Sequence, residues 1–312
     1  MIEITVNKND AGQRADKFIL KTFKNMPKSY LYKCLRKKDI KLNKKRLDGD
    51  TFLQEGDVIS LYIKDKFTLE VSPKEFDTCI NLSTYIIYED ENIILADKPQ
   101  GVSMHGDETD KGGFVAALIK YLIEKKEYFP ENENSFSPAF CNRIDKNTGG
   151  IVIAAKNANA LREMNEIIRQ HEINKIYLLA VDGIPSFNSE KTFTAFTKKD
   201  EKNKKALVSD IHKDGYKEMK TKFTVIRTYE NKALIEASLL TGRFHQIRAH
   251  MAFLGFPLCG DTKYGGKKNS SFKYQALYSY KLTFNINEKS FLSYLNGKEF
   301  KVKNVWFEKY FN

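Results

Sequence analysis

The sequence of 312 residues has few cysteines and no long apolar run. Its four cysteines are scattered and form no CxxC pair, which argues against a disulfide framework. No stretch approaches the ~18 to 20 apolar residues that a membrane-spanning helix needs. The first residues also lack a basic segment followed by an apolar core, the pattern of a secretion signal. We therefore expect a cytoplasmic protein with reduced thiols and no membrane association.

Signatures of metal and nucleotide cofactors are absent as well. Neither GxGxxG nor GxxxxGK[ST] occurs, so no nucleotide cofactor is expected. His245 and His250 are five residues apart, without the HExxH spacing and without a carboxylate between them, so we expect no metal site. The formal net charge of +12 favours a polyanionic partner instead.

Residues 1–65 predict a small separate domain. The spacing of apolar residues predicts a helix over residues 13–23, and Pro27 stands where a second helix would begin. Short strands are predicted after these helices. Between residues 28 and 46, nine lysines and arginines are opposed by Asp39 alone. A solvated basic face is the usual explanation of such a run, but the same charge density is typical of phosphate contacts.

Residues 66–82 predict a linker, and residues 83–312 predict a larger domain. Strands outnumber helices in that domain and do not alternate regularly with them. The expected fold class is therefore α+β, with a mixed, mainly antiparallel sheet flanked by helices. The predicted elements are a hairpin within residues 85–99, helices over 114–123 and 158–171, strands over 151–155, 176–181, 223–229 and 233–239, and polar loops over 132–137 and 198–205. The second loop is either a solvated turn or a flexible hairpin that contacts RNA.

The clearest candidate for chemistry is the stretch NRIDKNTGGIVIAAK, residues 142–156. Asp145 stands between Arg143 and Lys146, in a turn that two glycines bend into a buried strand. A rigid sheet end is a place where a carboxylate can be presented to a substrate. Aspartate also stabilises turns, so this pattern alone leaves a purely structural role equally open.

Two other stretches are rich in functional side chains. The strand that begins KIY places Tyr177 near its start, although a strand tyrosine is more often part of a core. Residues 241–251, TGRFHQIRAHM, contain too many hydrogen-bonding groups for an ordinary helix start. If a helix begins near Phe244, Arg248 lies one turn further on the same face, and His245 and His250 point elsewhere.

Together these stretches resemble the RluA family of pseudouridine synthases, most closely its C-type branch that acts on large-subunit ribosomal RNA. The resemblance rests on ED at residues 89–90, KPQG at 98–101 and HG at 105–106, on RID at 143–145 and KIY at 175–177, and on TGRFHQIRAHM with GDTKYG at 260–265. The first 65 residues resemble an S4 RNA-binding domain through RADKF, PKS, LRK, LNKK and EGD. The match covers nearly the whole chain.

The resemblance implies cofactor-free isomerisation of uridine in RNA to pseudouridine. In that family the acid that matches Asp145 acts on the ribose, either as the nucleophile or as a base at C2′. Arg248 would be its cationic partner, Tyr177 would stack on the uracil and serve the late proton removal at C5, and Arg143 would fill the place of the flipped nucleotide. The residues expected to contact RNA are Arg143, Arg14, Lys17, Lys28, Arg36, Lys37, Lys44, Lys45, Lys98, His105, Arg243 and His245.

Other functions remain open at this point. The same family includes transfer RNA synthases, and a catalytically lapsed RNA-binding or ribosome assembly factor would keep the same fold. The family usually has His and Ser where this chain has Asn142 and Gly149, so altered support of the site is expected. A glycoside hydrolase would need a second catalytic carboxylate, for which the sequence offers no obvious candidate. We expect the protein to be a monomer.

Overall fold

The computed structural model describes residues 1–63, 78–106, 112–187, 190–267 and 271–311. Within these ranges the α-helices are α1 (Ala15–Thr22), α2 (Lys28–Lys37), α3 (Gly113–Glu124), α4 (Ala158–Arg169) and α5 (Gln246–Phe253). The strands are β1 (Ile2–Thr5), β2 (Ile40–Leu42), β3 (Lys45–Arg46), β4 (Val58–Leu61), β5 (Ile86–Glu89), β6 (Ile93–Lys98), β7 (Ala139–Phe140), β8 (Gly149–Ala155), β9 (Ile173–Asp182), β10 (Lys191–Asp200), β11 (Lys205–Ser209), β12 (Lys217–Tyr229), β13 (Lys232–Leu239), β14 (Leu277–Phe284) and β15 (Glu299–Lys301).

The first 63 residues fold around a core of their own, and we call this part the N-terminal module. Its four strands form an antiparallel sheet in the order β1-β4-β2-β3. Phe18 and Ile19 of α1 and Leu31 of α2 are fully buried against this sheet. Both predicted helices are therefore confirmed, and α2 begins directly after Pro27, whose fixed φ suits a helix start.

A buried polar contact joins the N-terminal module to the rest of the chain. Asp10 is fully buried, and its Oδ1 accepts hydrogen bonds from the Ser135 hydroxyl at 2.6 Å and the Ser135 backbone N–H at 3.2 Å. Its Oδ2 accepts from the Asn134 amide at 2.6 Å. The Gln13 amide also donates to the Ser135 hydroxyl at 2.9 Å. Because each polar group has a partner, this contact does not leave buried hydrogen-bonding capacity unused.

The larger part of the chain is built on one eleven-stranded sheet. Nine strands follow the order β11-β10-β12-β13-β9-β14-β8-β6-β5, while β15 pairs with β14 and β7 with β8. Among the described strands, β14 and β8 pair in parallel and the other neighbours are antiparallel. The expected mixed, mainly antiparallel sheet is confirmed.

Strand β8 lies in the middle of the core because both of its faces are covered. Its seven residues are all buried, with Ile151 and Ile153 facing one hydrophobic cluster and Val152 and Ala154 facing the other. Side chains alternate across a strand, so a strand covered on both faces is apolar throughout. The cluster around Val152 includes residues of α3 and α5, and the cluster around Ile151 includes residues of α4 and of the C-terminal segment.

Several elements differ from the sequence expectations. Of the two possibilities for residues 198–205 the hairpin is confirmed, because residues 198–200 end β10, Lys205 begins β11, and the two strands pair antiparallel. Strands β14 and β15 were not predicted. Residues 66–77 of the predicted linker lie outside the described residues, and Leu82 at its end is buried and begins a 3₁₀ turn. None of the helices that the structure describes is long and apolar enough to cross a bilayer.

We predict that Gly149→Ser, the residue usual in the resembled family, destabilises this chain. A Cβ at position 149 would lie 2.3 Å from Cε2 of Tyr278, whose hydroxyl donates to Asp97 at 2.7 Å. Relief of this overlap would move the buried Tyr278 ring, at a cost of about 1 to 3 kcal/mol in the free energy of unfolding. Urea unfolding measures this, with Gly242→Ser as the control because a Cβ there would meet nothing within 4 Å. Equal midpoints for the two variants would contradict the prediction.

Candidate active site

Asp145 lies in a turn between β7 and β8 whose backbone is tied to the segment after β6. The carbonyl of Lys146 accepts hydrogen bonds from the Gly101 N–H at 3.0 Å and from the Lys98 ammonium at 3.1 Å. The carbonyl of Asn147 accepts from the Gln100 amide at 2.9 Å. These bonds hold the turn that carries the carboxylate, as the presentation of an acid at a sheet end requires.

Asn142 supports the same turn from its beginning. Its side-chain oxygen accepts a hydrogen bond from the backbone N–H of Ile153 at 2.8 Å, which joins the start of the turn to β8. The structure shows which contacts Asn142 and Gly149 make in this chain, the two positions at which it departs from the family pattern. An amide bonds to the sheet at Asn142, and a glycine makes room for the Tyr278 ring.

Arg248 is the cationic partner of Asp145. Its Nη1 donates to Asp145 Oδ2 at 2.9 Å, while its Nε and Nη2 donate to the two oxygens of Asp261 at 2.7 and 2.9 Å. The Arg248 side chain is 7% exposed and that of Asp261 is 1% exposed, so this network is shielded from water. Burial lowers the pKa of Arg248, but the hydrogen bonds and charge of Asp261, with Asp145 adding to them, raise it overall. The guanidinium is therefore a permanent cation.

His245 also faces Asp145, which corrects the expectation that it points elsewhere. Helix α5 begins at Gln246, and His245 precedes it with a left-handed φ of +51°. Its Nε2 lies 3.5 Å from Asp145 Oδ2. Burial lowers the pKa of His245 to about 4, so the ring is neutral at neutral pH.

The tautomer of His245 follows from its other nitrogen. The Tyr264 hydroxyl lies 2.9 Å from Nδ1 of His245 and accepts a hydrogen bond from the Ala206 backbone N–H at 2.7 Å. Its own proton is therefore available to donate to Nδ1, which leaves the ring proton of His245 on Nε2, directed at Asp145. The Tyr264 ring also lies against the Arg248 guanidinium, 5.1 Å from ring centre to carbon.

These groups line a cavity of about 470 Å³. Its volume lies within the range usual for pockets that hold small ligands. The cavity brings together residues 143–147, the segment 103–105, the start of α5, and the turn from Gly260 to Lys263. Lys273, Tyr274 and Gln275 complete the lining.

Tyr177 is the third predicted catalytic residue, and it is placed beneath this cavity rather than in its lining. It is 8% exposed on β9 and lies opposite Ser279 of β14 in the sheet register. Burial raises the pKa of Tyr177 to about 12, with a hydrogen bond from Ser279 opposing and the Asp145 charge adding to this effect. The phenol is therefore protonated at neutral pH.

Lys98 was predicted to contact RNA, and the structure contradicts this. The residue has no exposed surface, and its ammonium donates to the carbonyls of Pro99 and Val102 at 2.8 Å and of Lys146 at 3.1 Å. Burial lowers the pKa of Lys98 to about 7. The three carbonyls use all the donors of an ammonium group, so Lys98 fastens the catalytic turn from inside the protein.

His245 was also predicted to contact RNA, but its side chain is only 9% exposed and faces Asp145. The remaining predicted RNA contacts are accessible. His105 and Arg143 are exposed and line the cavity, and Arg243 is exposed nearby with its Nε bonded to the carbonyl of Glu218 at 2.8 Å. Arg14 pairs with Asp16 at 2.9 Å and keeps 39% of its side chain exposed. The exposed basic residues predicted on the N-terminal module are Lys17, Lys28, Arg36, Lys37, Lys44 and Lys45.

Sequence reasoning missed Asp261, Tyr264 and Gln100 as parts of the site. Asp261 and Tyr264 stand in the GDTKYG stretch that carried the resemblance, but no role was assigned to them. Gln100 bonds to the turn through Asn147 and accepts a hydrogen bond from the Trp306 indole at 2.6 Å. Nothing local in the sequence indicates that a C-terminal tryptophan would reach this glutamine.

Comparison with solved structures identifies the fold. The human protein "RNA Pseudouridylate Synthase Domain Containing 4" superposes with a TM-score of 0.55 over 71% of this chain and 89% of its own length, at 18% sequence identity. The human "RNA Pseudouridylate Synthase Domain Containing 1" gives a TM-score of 0.51 over 75% and 94%, at 19% identity. At these identities the likeness concerns the fold, which is that of a pseudouridine synthase.

Sequence comparison extends this to the family. A sequence model described as RNA pseudouridylate synthase matches residues 92–253. An "Uncharacterized RNA pseudouridine synthase" of Mycoplasma capricolum is 33% identical over 99% of this chain and its own full length. A "Ribosomal large subunit pseudouridine synthase C" of Haemophilus influenzae is 32% identical over 85% of this chain and 79% of its own. The chain therefore belongs to the RNA pseudouridylate synthase family, and it is an RNA pseudouridine synthase.

We predict that Lys98→Met lowers stability without weakening RNA binding. Methionine fills a similar volume but leaves the carbonyls of Pro99 and Val102 without a donor, while that of Lys146 keeps the Gly101 N–H. Each such loss costs roughly 1 to 3 kcal/mol. Urea unfolding and an RNA dissociation constant at fixed salt measure the two effects. Lys289→Met, at an exposed position outside the cavity lining, is the control for loss of a lysine. A large loss of RNA affinity in Lys98→Met without loss of stability would restore the original expectation.

Proposed function

We propose that this enzyme converts specific uridines of large-subunit ribosomal RNA to pseudouridine, with Asp145 acting on the ribose. The observation that carries the proposal is the Asp145 carboxylate, bonded to a buried arginine and 30% exposed to a cavity of about 470 Å³. The printed name of the Haemophilus influenzae relative supports the ribosomal substrate.

The reaction is an isomerisation that needs no external reagent. The bond between N1 and C1′ breaks, the uracil turns within the pocket, and C5 bonds to C1′. C5 then loses its proton, and N1 gains one from solvent. Positive charge develops at C1′ as the glycosidic bond breaks, and an ionised carboxylate next to that carbon stabilises it. Attack of Asp145 at C1′ and removal of the C2′ proton by Asp145 both need this ionised form.

The neighbours of Asp145 suit such a role. Arg248 keeps a permanent positive charge beside the carboxylate and donates a hydrogen bond to it at 2.9 Å. Neutral His245 presents a ring N–H without adding a second full charge. Both contacts go to Oδ2, so Oδ1 is the oxygen that we assign to the ribose.

For Tyr177 we propose a positioning role beneath the uracil. A base at C5 would need the phenolate form, and burial disfavours that form by raising the pKa to about 12. Tyr177 lies on β9 opposite Ser279 of β14, beneath the cavity that holds Asp145 and outside its lining. From this place it limits how deeply the base can enter the site.

The target nucleotide must leave its stack to reach Asp145. Arg143 is exposed and lines the cavity two residues before Asp145, a place that suits filling the gap left by the flipped nucleotide. The hairpin of β10 and β11 stands beside the same opening. Lys199 lies 5.3 Å above the Phe244 ring, and Lys205 lies 6.0 Å above the Tyr264 ring. These lysines and Arg143 supply positive charge for the flanking phosphates.

We assign RNA binding of the S4 type to the N-terminal module, residues 1–65, joined by the linker 66–82 to the catalytic domain 83–312. Its exposed lysines and arginines on α2 and on the turn between β2 and β3 support this role. Such recognition reads RNA shape and phosphates. We also propose that the enzyme acts as a monomer.

Two alternative functions have to be distinguished from this proposal by experiment. Transfer RNA would be the substrate if the module recognised its fold instead of a ribosomal helix. A lapsed enzyme would bind RNA without turnover, which the pairing of Asp145 with Arg248 argues against. Both are separated from the proposal by measurement of the reaction itself.

Tritium release from RNA labelled at uracil C5 reports the reaction, because that hydrogen is lost only when C5 takes the sugar bond. We predict release from large-subunit ribosomal RNA fragments and none with Asp145→Asn, which lacks the ionised carboxylate while RNA binding persists. Release from transfer RNA transcripts alone would favour the first alternative. Binding without release from either RNA, by a protein that also fails on assembled particles, would favour the second.

We predict that Lys44→Gln together with Lys45→Gln weakens RNA binding and reduces its dependence on salt. Each lysine that no longer neutralises a phosphate lowers the slope of log K against log salt by about 0.7 to 0.9. Titrations at several salt concentrations measure the slope. Lys289→Gln with Lys303→Gln, at exposed positions far along the chain, is the control. Identical slopes for both pairs would contradict a role of this turn in RNA binding.

A further inference from the structure

Arg248 is shared between two carboxylates of unequal exposure. Asp261 receives two of its hydrogen bonds, at 2.7 and 2.9 Å, and is 1% exposed. Asp145 receives one, at 2.9 Å, and is 30% exposed to the cavity. Asp261 therefore holds the Arg248 guanidinium through Nε and Nη2, and only Nη1 of Arg248 contacts Asp145. Nothing in the proposed reaction uses Asp261 directly.

The local fold places Asp261 with little freedom. The turn that carries it closes through hydrogen bonds from its own N–H to the carbonyl of Leu258 at 3.0 Å and from the Gly266 N–H to its carbonyl at 2.9 Å. Gly260 precedes it with φ +75°, and a Cβ there would lie 2.5 Å from the carbonyl oxygen of Tyr274. A residue with a side chain would clash at that position, so the turn is built to hold the carboxylate at this depth.

We propose that Asp261 is a positioning residue for the isomerisation, which fixes Arg248 so that a single N–H reaches Asp145. This inference rests on the function proposed for Asp145. Arginine and a carboxylate form their strongest pair with two parallel hydrogen bonds. Asp261 forms this two-bond pair with Arg248. Asp145 therefore receives a single hydrogen bond at Oδ2, and its Oδ1 stays available to the ribose.

Replacement of Asp261 by asparagine changes the contacts of Asp145. Asparagine offers one acceptor oxygen, and its amide N–H groups face the donors of Arg248, so the guanidinium is released towards Asp145. A two-bond pair between Arg248 and Asp145 then competes with the ribose for both carboxylate oxygens.

The charged and titratable groups around Asp145 come from several elements that meet there. They are Arg248 and His245 at the start of α5, Lys98 at the end of β6, Tyr177 on β9, and Asp261 and Tyr264 in the following turn, with Arg143 and Lys146 beside Asp145 in sequence. His105, Lys263 and Lys273 complete the charged and titratable groups of the cavity lining. Asp261 is the one acid in this set besides Asp145. Its removal therefore shifts the local balance towards positive charge.

Single-turnover tritium release by the full-length enzyme on ribosomal RNA tests the inference. For Asp261→Asn we expect a fall in the maximal rate of about tenfold to a hundredfold, since small displacements of reacting groups have effects of this size. RNA affinity should stay unchanged, because the Asp261 side chain is only 1% exposed. An unchanged rate, or a loss of affinity alone, would overturn the inference.

Two further variants separate the role of the carboxylate from folding. Asp261→Glu keeps a carboxylate that can bind Arg248 and should recover part of the rate that Asp261→Asn loses, and it decides the question if Asp261→Asn does not fold. Equal rates for the two folded variants would refute the role of the carboxylate. Asp182→Asn, whose carboxylate contacts Cys259 at 3.4 Å outside the cavity lining, is the matched control and should behave as the parent enzyme. Turnover by Asp145→Asn would refute the proposed function, whereas an inactive Asp145→Asn with a normal Asp261→Asn would refute this inference alone.

Discussion

The buried guanidinium of Arg248 is the interaction on which the site depends. A charge withdrawn from water is tolerated only when partners of opposite charge and good geometry surround it. Arg248 meets that condition through Asp261, Asp145 and the face of Tyr264. These partners come from two separate turns, and the arginine comes from a helix. The folded state must bring all three elements together, because loss of one partner would leave a buried charge without compensation.

Position is fixed mainly by hydrogen bonds to the backbone rather than by charge pairs. The turn that carries Asp145 is held through its carbonyls by Lys98, Gly101 and Gln100, and through Asn142 to the neighbouring strand. Backbone anchoring of this kind does not occupy the carboxylate itself, so Oδ1 is available to a substrate. The arrangement separates two tasks that a single salt bridge would combine, which are placement of the acid and control of its charge.

Much of this could be predicted from the sequence where a local pattern determines the outcome. The apolar run after Asp145 predicted β8, and the family pattern pointed to Arg248 as its partner. Long-range and buried relations were not predictable in this way. Lys98 looks like any exposed lysine until the fold shows three carbonyls around it. His245 was predicted to point away from Arg248 on a helix that begins near Phe244. Its left-handed backbone instead places it before the first helical residue, with its side chain facing Asp145. The end of the β10–β11 hairpin, residues 198–205, consists almost entirely of charged and polar residues, so the sequence there did not separate a strand pair from a solvated turn.

Charge in this protein is distributed by depth. Exposed lysines and arginines lie on the N-terminal module and around the cavity opening, where Arg143 and Lys273 are exposed. Inside, the positive charge of Arg248 is matched by two carboxylates and His245 is neutral. A phosphate is thus attracted to the rim, while the interior, which carries no excess positive charge from these groups, suits an uncharged uracil and ribose. This difference in potential directs the backbone of the RNA to the outside of the cavity and a flipped nucleoside to Asp145.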